Sequence, residues 1–361
     1  MSTKANAAPA ALTVDVLPDS LQDVVHDARD EQGTRAGRVR AARLTSLLSR
    51  GGSIAALLLV CLSAGISSET FARPDNLRNV ALSAAFIGII AAGMTFVIVT
   101  DGIDLSVGSV YALGVLTSAY MSQRSAVLAI VVPLLACGGV GLVQGGIIAR
   151  WNLPPFLVTL AGMTGVRGLV YYITSEGNEV PKVPAGSAIS PLGQETFLTI
   201  GLPVWFMLAA FAAGAWLLNR TAYGQHVQAV GGSASAAQLM GLPVRRTTAS
   251  VYLVSGLCAG LSGILTTALS NGGQEARIGD GYELVAIAAV VIGGTLLTGG
   301  VGSMVGSLAG ILLWFVIANI VNQSFHATPY DQQMISGGFL LVVVVLQAVL
   351  ARRATAGQAS V

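Results

Sequence analysis

Two short acidic motifs are the residues of this apolar chain best suited to chemistry. The pattern D-G-x-[DE]-L occurs at residues 101–105 and again at 280–284, each time after one hydrophobic run and before another. Such carboxylates could act in acid–base catalysis or bind a coupling ion. Each costs about 2.5 to 3.5 kcal/mol at the bilayer centre, so we expect both at a helix break, a cavity or an interface. The duplication indicates two related halves.

The composition predicts an integral membrane protein. The chain is 53% hydrophobic and 10% charged, with a mean hydropathy of +0.73, whereas soluble domains carry about 25% charged residues. Its 44 glycines fit this class, because small residues let helices approach closely in lipid. Lys4 and Lys182 are the only lysines, and neither lies in a phosphate-binding G-x-x-x-x-G-K-[ST] loop. We therefore expect no ATP hydrolysis by this chain.

Cysteine and histidine give no sign of catalysis. The three residues of each type are isolated and far apart, so they form no metal-ligand spacing, redox pair or catalytic triad. We expect no catalytic residue, no metal site and no cofactor bound by this chain, and therefore a protein that is not an enzyme.

Hydrophobic runs near the ~20 residues needed to cross a bilayer predict an all-α, polytopic membrane protein. About ten spans are expected, at residues 53–66, 77–100, 105–121, 126–149, 156–173, 202–218, 249–269, 284–297, 303–321 and 335–350. They define a transmembrane domain over residues 49–351. Residues 1–48 form a predicted flexible tail, because they hold too little apolar surface to fold, and residues 352–361 form a second tail.

The distribution of arginine predicts the topology. Arginines before the first span and after the tenth place both termini in the cytoplasm by the positive-inside rule, with Arg124 and Arg277 as exceptions among the loops. The first acidic motif then lies at the inner end of span two, and the second lies at the outer end of span seven. Opposite orientation of two copies indicates an inverted repeat, five spans against five, which in transporters places the pathway between the halves.

Residues 100–106 interrupt an apolar stretch of spans two and three. Asp104 or Ser106 is expected to cap the third span by accepting backbone N–H groups. Two interpretations of Asp101, Asp104 and Ser106 stay open, because irregular backbone at membrane depth is tolerated beside protein or a water-filled cavity. These residues are either caps in a tight loop or polar residues that line a translocation pathway.

Further polar residues fall in or near the spans. Arg167 needs a partner in the membrane, and the options are Glu176, Asp101 and Glu283. Glu283 itself is a second pathway or helix-break candidate. The remaining polar side chains could line a pathway or form interhelical hydrogen bonds, and they are Gln144, Thr159, Asn319 and Asn322.

The segment 219–248 is the longest predicted cytoplasmic loop. Ser233 is expected to cap a short alanine-rich helix, and Gly241 with Pro243 is expected to end it. Such a helix, with small side chains, could bind in a groove of a cytosolic partner. It could equally be a simple connecting helix.

A family resemblance rests on several segments in order. They are residues 93–98, residues 102–109, the loop 231–244, and residues 281–284 leading into 286–288 and 291–295. Together they resemble the permease subunits of ribose-type sugar ABC importers, over residues 77–350. Details at 159–163, 239–241 and 293–302 most resemble one of the two paired permeases of galactofuranose-type importers.

The resemblance implies a type II ABC importer permease fold in the cytoplasmic (inner) membrane. It implies transport of a monosaccharide, a permease dimer in which a heterodimer is favoured, a cytosolic ATPase subunit that holds ATP-Mg, and an extracytoplasmic sugar-binding protein. Residues of the loop that would couple to the ATPase are Gly231, Gly232, Ser233, Ala237, Leu239, Gly241 and Pro243.

The chain departs from the family pattern at three positions. Ser233 and Ala234 replace the usual Asn and Glu of the coupling loop, and Val285 replaces an acid after the second motif. A polar contact with the ATPase at the first two positions is therefore in doubt. The alternative function is an ion-coupled secondary transporter of a small polar solute, which would also use inverted repeats and broken helices.

Overall fold

The computed structural model describes residues 52–66, 68, 70–272, 275–325, 331, 334, 337 and 338. Over these residues the chain is mostly helical. In chain order the elements are α1 (Gly52–Ile66), α2 (Pro74–Val99), α3 (Val107–Ser122), α4 (Ala126–Trp151), α5 (Pro155–Ile173), α6 (Ser190–Gln194), β1 (Thr196–Phe197), β2 (Ile200–Gly201), α7 (Leu202–Arg220), α8 (Ala222–Gly232), α9 (Ala234–Leu239), α10 (Val244–Ser270), α11 (Tyr282–Ile292) and α12 (Met304–Phe325).

Six helices of the described part are long and apolar enough to cross a membrane, namely α2, α4, α5, α7, α10 and α12, whereas α1, α3 and α11 are apolar but shorter. Each of the first nine predicted spans overlaps one of these helices. The tenth, 335–350, lies outside the described residues except for 337 and 338, and both predicted tails lie outside them entirely. The chain is thus a multi-pass membrane protein with a mostly helical fold.

Helices α2 and α10 form the centre of the bundle. From Ala84 to Val99 every residue of α2 except Phe86 is buried, as expected for a helix that is apolar on all sides. Helix α10 packs along α4, α3 and α2, and α2 also contacts α7, α11 and α12. The segments that carry the acidic motifs follow directly after these two central helices.

Close packing between α4 and α10 depends on glycine. A Cβ added at Gly141 of α4 would meet the carbonyl oxygen of Tyr252, and one added at Gly256 of α10 would meet that of Cys137. The two backbones therefore approach within a distance that only glycine allows, as at many helix interfaces in lipid.

Helix α4 contains Pro133, which has no N–H to donate to the carbonyl four residues earlier. That carbonyl belongs to Ala129, and it accepts a hydrogen bond of 2.9 Å from the Ser118 hydroxyl of α3. A neighbouring helix thus satisfies the backbone group that proline leaves without a partner, which is how spanning helices tolerate proline.

Residues 174–201 form a folded cap over the C-terminal end of α10. The Val183 N–H donates to the carbonyl of Asn271 at 2.9 Å, and Lys182 pairs with Gly272 in an isolated bridge. Strands β1 and β2 form a two-residue antiparallel pair beside α6. The sequence predicts this stretch only as a loop.

Two elements differ from the prediction. Helix α11 ends at Ile292 rather than near 297, because Gly293 is followed by Gly294 with a positive φ of 85°. Between α7 and α10 the sequence predicts one short helix, and the structure contains two, α8 and α9. Thr221 begins α8 by accepting the N–H of Gly224 at 3.3 Å.

Candidate functional site

The first acidic motif lies directly after the C-terminal end of α2. Helix ends leave four backbone carbonyls without a partner inside the helix, and at α2 these belong to residues 96–99. Thr100, Asp101 and Gly102 donate backbone N–H groups to the first three. Asp101 has a positive φ of 61°, so the chain leaves the helix in the left-handed conformation common at helix ends. The predicted break between spans two and three is confirmed.

The Asp104 carboxylate is only 2% exposed and accepts three hydrogen bonds. The Ser106 N–H and hydroxyl donate to Oδ1 at 3.0 and 2.6 Å, and the Ser255 hydroxyl of α10 donates to Oδ2 at 2.8 Å. A buried carboxylate needs such donors, because burial of an unbonded charge is costly. Ser106 is the N-cap residue of α3 but makes no side-chain cap bond, and Asp104 accepts the N–H of Ser106 rather than one inside the helix. The predicted side-chain cap of the third span is therefore wrong, and Asp104 instead holds the turn that leads into α3.

Helices α4, α5 and α10 surround this carboxylate. The Ser106 hydroxyl also lies 3.0 Å from Oε1 of Gln144, and Thr159 of α5 donates to the carbonyl of Ile103 at 3.2 Å. A Cβ added at Gly102 would lie 2.6 Å from the Tyr252 hydroxyl. Gln144 and Thr159, both candidates for a pathway, are therefore interhelical hydrogen-bond partners of the break.

The second acidic motif packs against α3 immediately after the first. A Cβ added at Gly108 would meet the carbonyl oxygen of Gly279 and lie 2.5 Å from Oε2 of Glu283. The rings of Tyr111 and Tyr282 lie 5.1 Å apart. The expectation that the two motifs lie at opposite membrane faces is wrong, because positive φ angles at Gly279 and Gly281 fold the second motif back onto α3.

Arg167 of α5 holds the segment that leads into the second motif. Its Nη2 lies 2.7 Å from Oδ1 of Asp280, and its Nη1 donates to the carbonyls of Ala276 and Ile278 at 2.8 and 2.9 Å. None of the three predicted partners forms this ion pair. The prediction missed Asp280 because the pairing depends on how the segment 276–280 folds over α5. A planar guanidinium suits such a contact with several acceptors.

Glu283 and Asn319 have different surroundings. The Glu283 carboxylate lies beside the backbone N–H groups of Gly281 and Glu283 at the start of α11, where the helix dipole favours a negative charge. Asn319 of α12 donates to Asn76 Oδ1 at 2.9 Å and accepts from Asn76 Nδ2 at 3.1 Å. Asn76 lies in the first turn of α2, roughly 35 Å along the helix from its last residue Val99 at about 1.5 Å per residue, so Asn319 lies far from the break.

The short helix α9 forms as predicted. Ser233 caps it by accepting the N–H of Ala236 at 3.2 Å, and Gly241 follows it with a positive φ of 79°. Of the seven predicted coupling residues Gly231 and Ala237 are buried, whereas the rest are exposed. Leu239 is 90% exposed and Met240 is 68% exposed, so α9 presents apolar side chains away from the bundle.

Helix α8 attaches α9 to the bundle. The Tyr223 ring contacts Phe96 of α2 with centroids 6.1 Å apart, and its hydroxyl accepts from Ser250 of α10 at 3.1 Å. Burial raises the pKa of the Tyr223 phenol, and the bond from Ser250 offsets part of that rise. The Gln228 amide donates to the Leu218 carbonyl of α7 at 3.0 Å. Three helices therefore fix the position of α8.

The last carbonyl of α2 meets the C-terminal end of α8 and the turn between α11 and α12. The Gly300 N–H donates to the Val99 carbonyl at 2.9 Å. A Cβ added at Gly231 would meet that carbonyl oxygen and lie 2.7 Å from the Gly300 nitrogen. We call these contacts of Val99, Gly231, Gly299 and Gly300 the glycine junction. The sequence does not identify Gly299, Gly300 or Ser255 as residues of this site, although three of the four residues at 299–302 are glycine.

Comparison with known proteins decides the family. The family model described as "Branched-chain amino acid transport system / permease component" matches residues 76–345, which cover the break, both acidic motifs, α8 and α9. The chain belongs to this family. These matches confirm the predicted resemblance of the chain to the permease subunits of sugar ABC importers.

Curated relatives of the permease include three sugar transport proteins. The L-arabinose ABC transporter permease protein AraH of Azospirillum brasilense is 38% identical over 302 residues, 83% of this chain and 87% of the relative. The ribose import permease protein RbsC of Bacillus subtilis is 34% identical over 83% of this chain and 93% of the relative. The fructose import permease protein FruG of Bifidobacterium longum is 33% identical over 77% of this chain and 84% of the relative. No solved structure matches the permease.

Proposed function

We propose that this chain is the membrane-spanning permease subunit of an ABC importer that carries a monosaccharide, a pentose or a hexose, across the inner membrane. The match to the permease family over residues 76–345 is the observation that carries the proposal. Relatives named for arabinose, ribose and fructose support a monosaccharide cargo. Galactofuranose remains one hexose among those to be tested.

The ATPase subunit would bind at α9. This helix ends with exposed Leu239, and exposed Met240 follows it. The segment 219–250 holds Arg220, Arg245 and Arg246 but no acidic residue. An apolar contact with an acidic rim on the ATPase would complement this surface. With Ser233 and Ala234 in place of the usual Asn and Glu, we infer that apolar burial rather than a polar bond holds the ATPase here.

The same arginines support the orientation. They are exposed at the end of the bundle that carries α8 and α9, and cytoplasmic loops are rich in Arg and Lys. That end would face the cytoplasm, as would both chain termini. The opposite end, with the folded segment 174–201, would receive the sugar-binding protein.

Two equivalent breaks support ten spans in an inverted repeat. A long central helix, an acidic break and a short apolar helix follow one another as α2, 101–106 and α3, and again as α10, 275–281 and α11. The translocation pathway would run beside these breaks, with Asp101, Arg167 and Glu283 nearest to its walls. Asp104 and Ser106 would hold the break rather than contact cargo, since their polar atoms already bond to each other and to Ser255.

The partners follow from this function. A cytosolic ATPase subunit would bind ATP-Mg and supply the energy, a binding protein would deliver the sugar, and a second permease subunit would complete the pathway. We favour a heterodimer with a different permease.

Reconstitution in proteoliposomes tests the proposal. The permease, its ATPase subunit and its binding protein are combined, and uptake of labelled arabinose, ribose, fructose and galactofuranose is measured with ATP at the cytoplasmic face. We expect uptake of at least one sugar, and loss of that uptake when the Walker lysine of the ATPase is replaced by alanine. Equal uptake without the ATPase subunit would contradict the proposed function.

A further inference from the structure

We infer that the glycine junction transmits the movement of the ATPase-binding helix α9 to the acidic break after α2, with Gly231, Gly299 and Gly300 as positioning residues. The inference rests on the proposed function, because it assumes that the ATPase binds α9. It adds a route through the fold by which that binding reaches the membrane-embedded break.

The junction begins with the last carbonyl of α2. The break itself satisfies the carbonyls of residues 96–98, but Val99 receives its hydrogen bond from Gly300, in the turn between α11 and α12. The end of α2 is therefore completed by a residue about 200 positions later in the chain. Separation of this turn from α2 would leave a backbone acceptor without its donor, which is unfavourable when the group is buried.

Helix α8 contacts the same carbonyl through backbone alone. Gly231 lies so close to the Val99 oxygen and the Gly300 nitrogen that no side chain fits between them. Gly299 also contacts both sides, because an added Cβ would lie 2.7 Å from the Gly231 carbonyl oxygen and 2.9 Å from Cβ of Asp101. Packed backbones transmit displacement well, since they have no rotamers to absorb it.

The chain on either side of the junction is short and well held. Toward the ATPase, only Gly232 and the cap residue Ser233 separate Gly231 from α9. Toward the membrane, Asp101 leads within three residues to Asp104, which is bonded to α10 through Ser255. A movement of α9 therefore reaches the break through few rotatable bonds.

Two helical glycines supply a matched pair of variants. An added Cβ at Gly231 of α8 would collide with the Val99 carbonyl, whereas an added Cβ at Gly146 of α4 has nothing within 4 Å. Neither residue has a positive φ. Gly231→Ala thus separates the junction, and Gly146→Ala adds the same methyl group to a helix outside the coupling loop.

The two variants are compared in the reconstituted importer by ATPase co-purification, basal ATP hydrolysis, hydrolysis stimulated by the binding protein, and sugar uptake. For Gly231→Ala we expect co-purification and basal hydrolysis like wild type, with stimulation and uptake reduced about tenfold or more, inside the roughly 5- to 150-fold range typical of coupling between sites. Gly146→Ala should match wild type in all four. Wild-type uptake by Gly231→Ala would overturn the inference.

A second variant covers the case in which Gly231→Ala does not fold. Two glycines inserted between Gly232 and Ser233 leave every contact of the junction and the exposed face of α9 in place, but they loosen the link between them. We expect the ATPase to co-purify while uptake falls about tenfold. Uptake equal to wild type would refute transmission by this route. Failure of wild type itself to bind the ATPase would instead refute the proposed function.

Discussion

The hydrogen bond from Ser255 to Asp104 should be unusually strong for a bond between membrane helices. Interhelical hydrogen bonds in membrane proteins contribute about 0.6 kcal/mol on average, but a bond to a charged group contributes about 1.5–3 kcal/mol. The Ser255 hydroxyl lies 2.8 Å from a carboxylate that is 2% exposed. We therefore predict that Ser255→Ala lowers the free energy of unfolding by about 1.5–3 kcal/mol.

Helix α10 supplies a matched control. The Ser262 hydroxyl is equally buried and donates at 2.8 Å to another helix, but its acceptor is the neutral carbonyl of Phe86. Ser262→Ala should cost about 0.6 kcal/mol. A difference near 1–2 kcal/mol corresponds to roughly 2–8 °C in unfolding temperature, at about 2–4 °C per kcal/mol for domains of this order of size.

Thermal unfolding of the purified permease in detergent measures both losses. A double-mutant cycle with Asp104→Asn then isolates the charge, because the amide keeps the shape of the carboxylate and removes its ionisation. In the Asp104→Asn background the cost of Ser255→Ala should fall to about that of a neutral bond, near 1 kcal/mol or less. Equal losses for the two serine variants, or an unchanged cost in the Asp104→Asn background, would refute the reasoning.

Three further predictions follow from single contacts. Leu239→Asp places a charge on the exposed apolar face of α9 and should lower ATPase co-purification about tenfold, a loss near 1.4 kcal/mol. The control Gln238→Ala should leave co-purification unchanged. Normal co-purification with Leu239→Asp would contradict the assignment of this face as the ATPase-binding surface. Arg167→Lys loses the planar fork, so hydrogen exchange at 276–280 should rise while the rest of the bundle is unchanged, and unaltered exchange there would count against the clamp. Asn319→Ala removes both hydrogen bonds with Asn76 and should cost about 1.2 kcal/mol in thermal unfolding, at about 0.6 kcal/mol for each bond. Sugar uptake should stay within about twofold of wild type, and a larger loss would return Asn319 to the pathway.

Features that depend on local sequence could be predicted. The apolar runs locate the nine helices that overlap the first nine predicted spans, and the break after α2 follows from the polar residues at 100–106. Ser233 and Gly241 bound α9 because a cap and a left-handed glycine act within a few residues of the helix they end.

Features that depend on contacts between distant segments could not be predicted from the sequence. The pairing of Arg167 with Asp280 requires the segment 276–280 to fold over α5, and nothing in the sequence near either residue fixes that fold. The contact between the two acidic motifs was missed for the same reason, since charge counting gives the side on which a loop begins but not how far it folds back into the bundle. Ser255 and Gly300 carry no motif, because a lone serine or glycine in an apolar chain resembles ordinary helix packing.

The energy source of transport is the most direct test of the central claim. Uptake of the sugar that proves to be the cargo is measured in proteoliposomes that contain the permease, its ATPase subunit and its binding protein. We predict uptake that requires ATP, stops with vanadate and persists when an uncoupler collapses the ion gradients. Uptake that stops with the uncoupler while ATP is maintained, and that continues with vanadate, would contradict the assignment as an ABC importer permease.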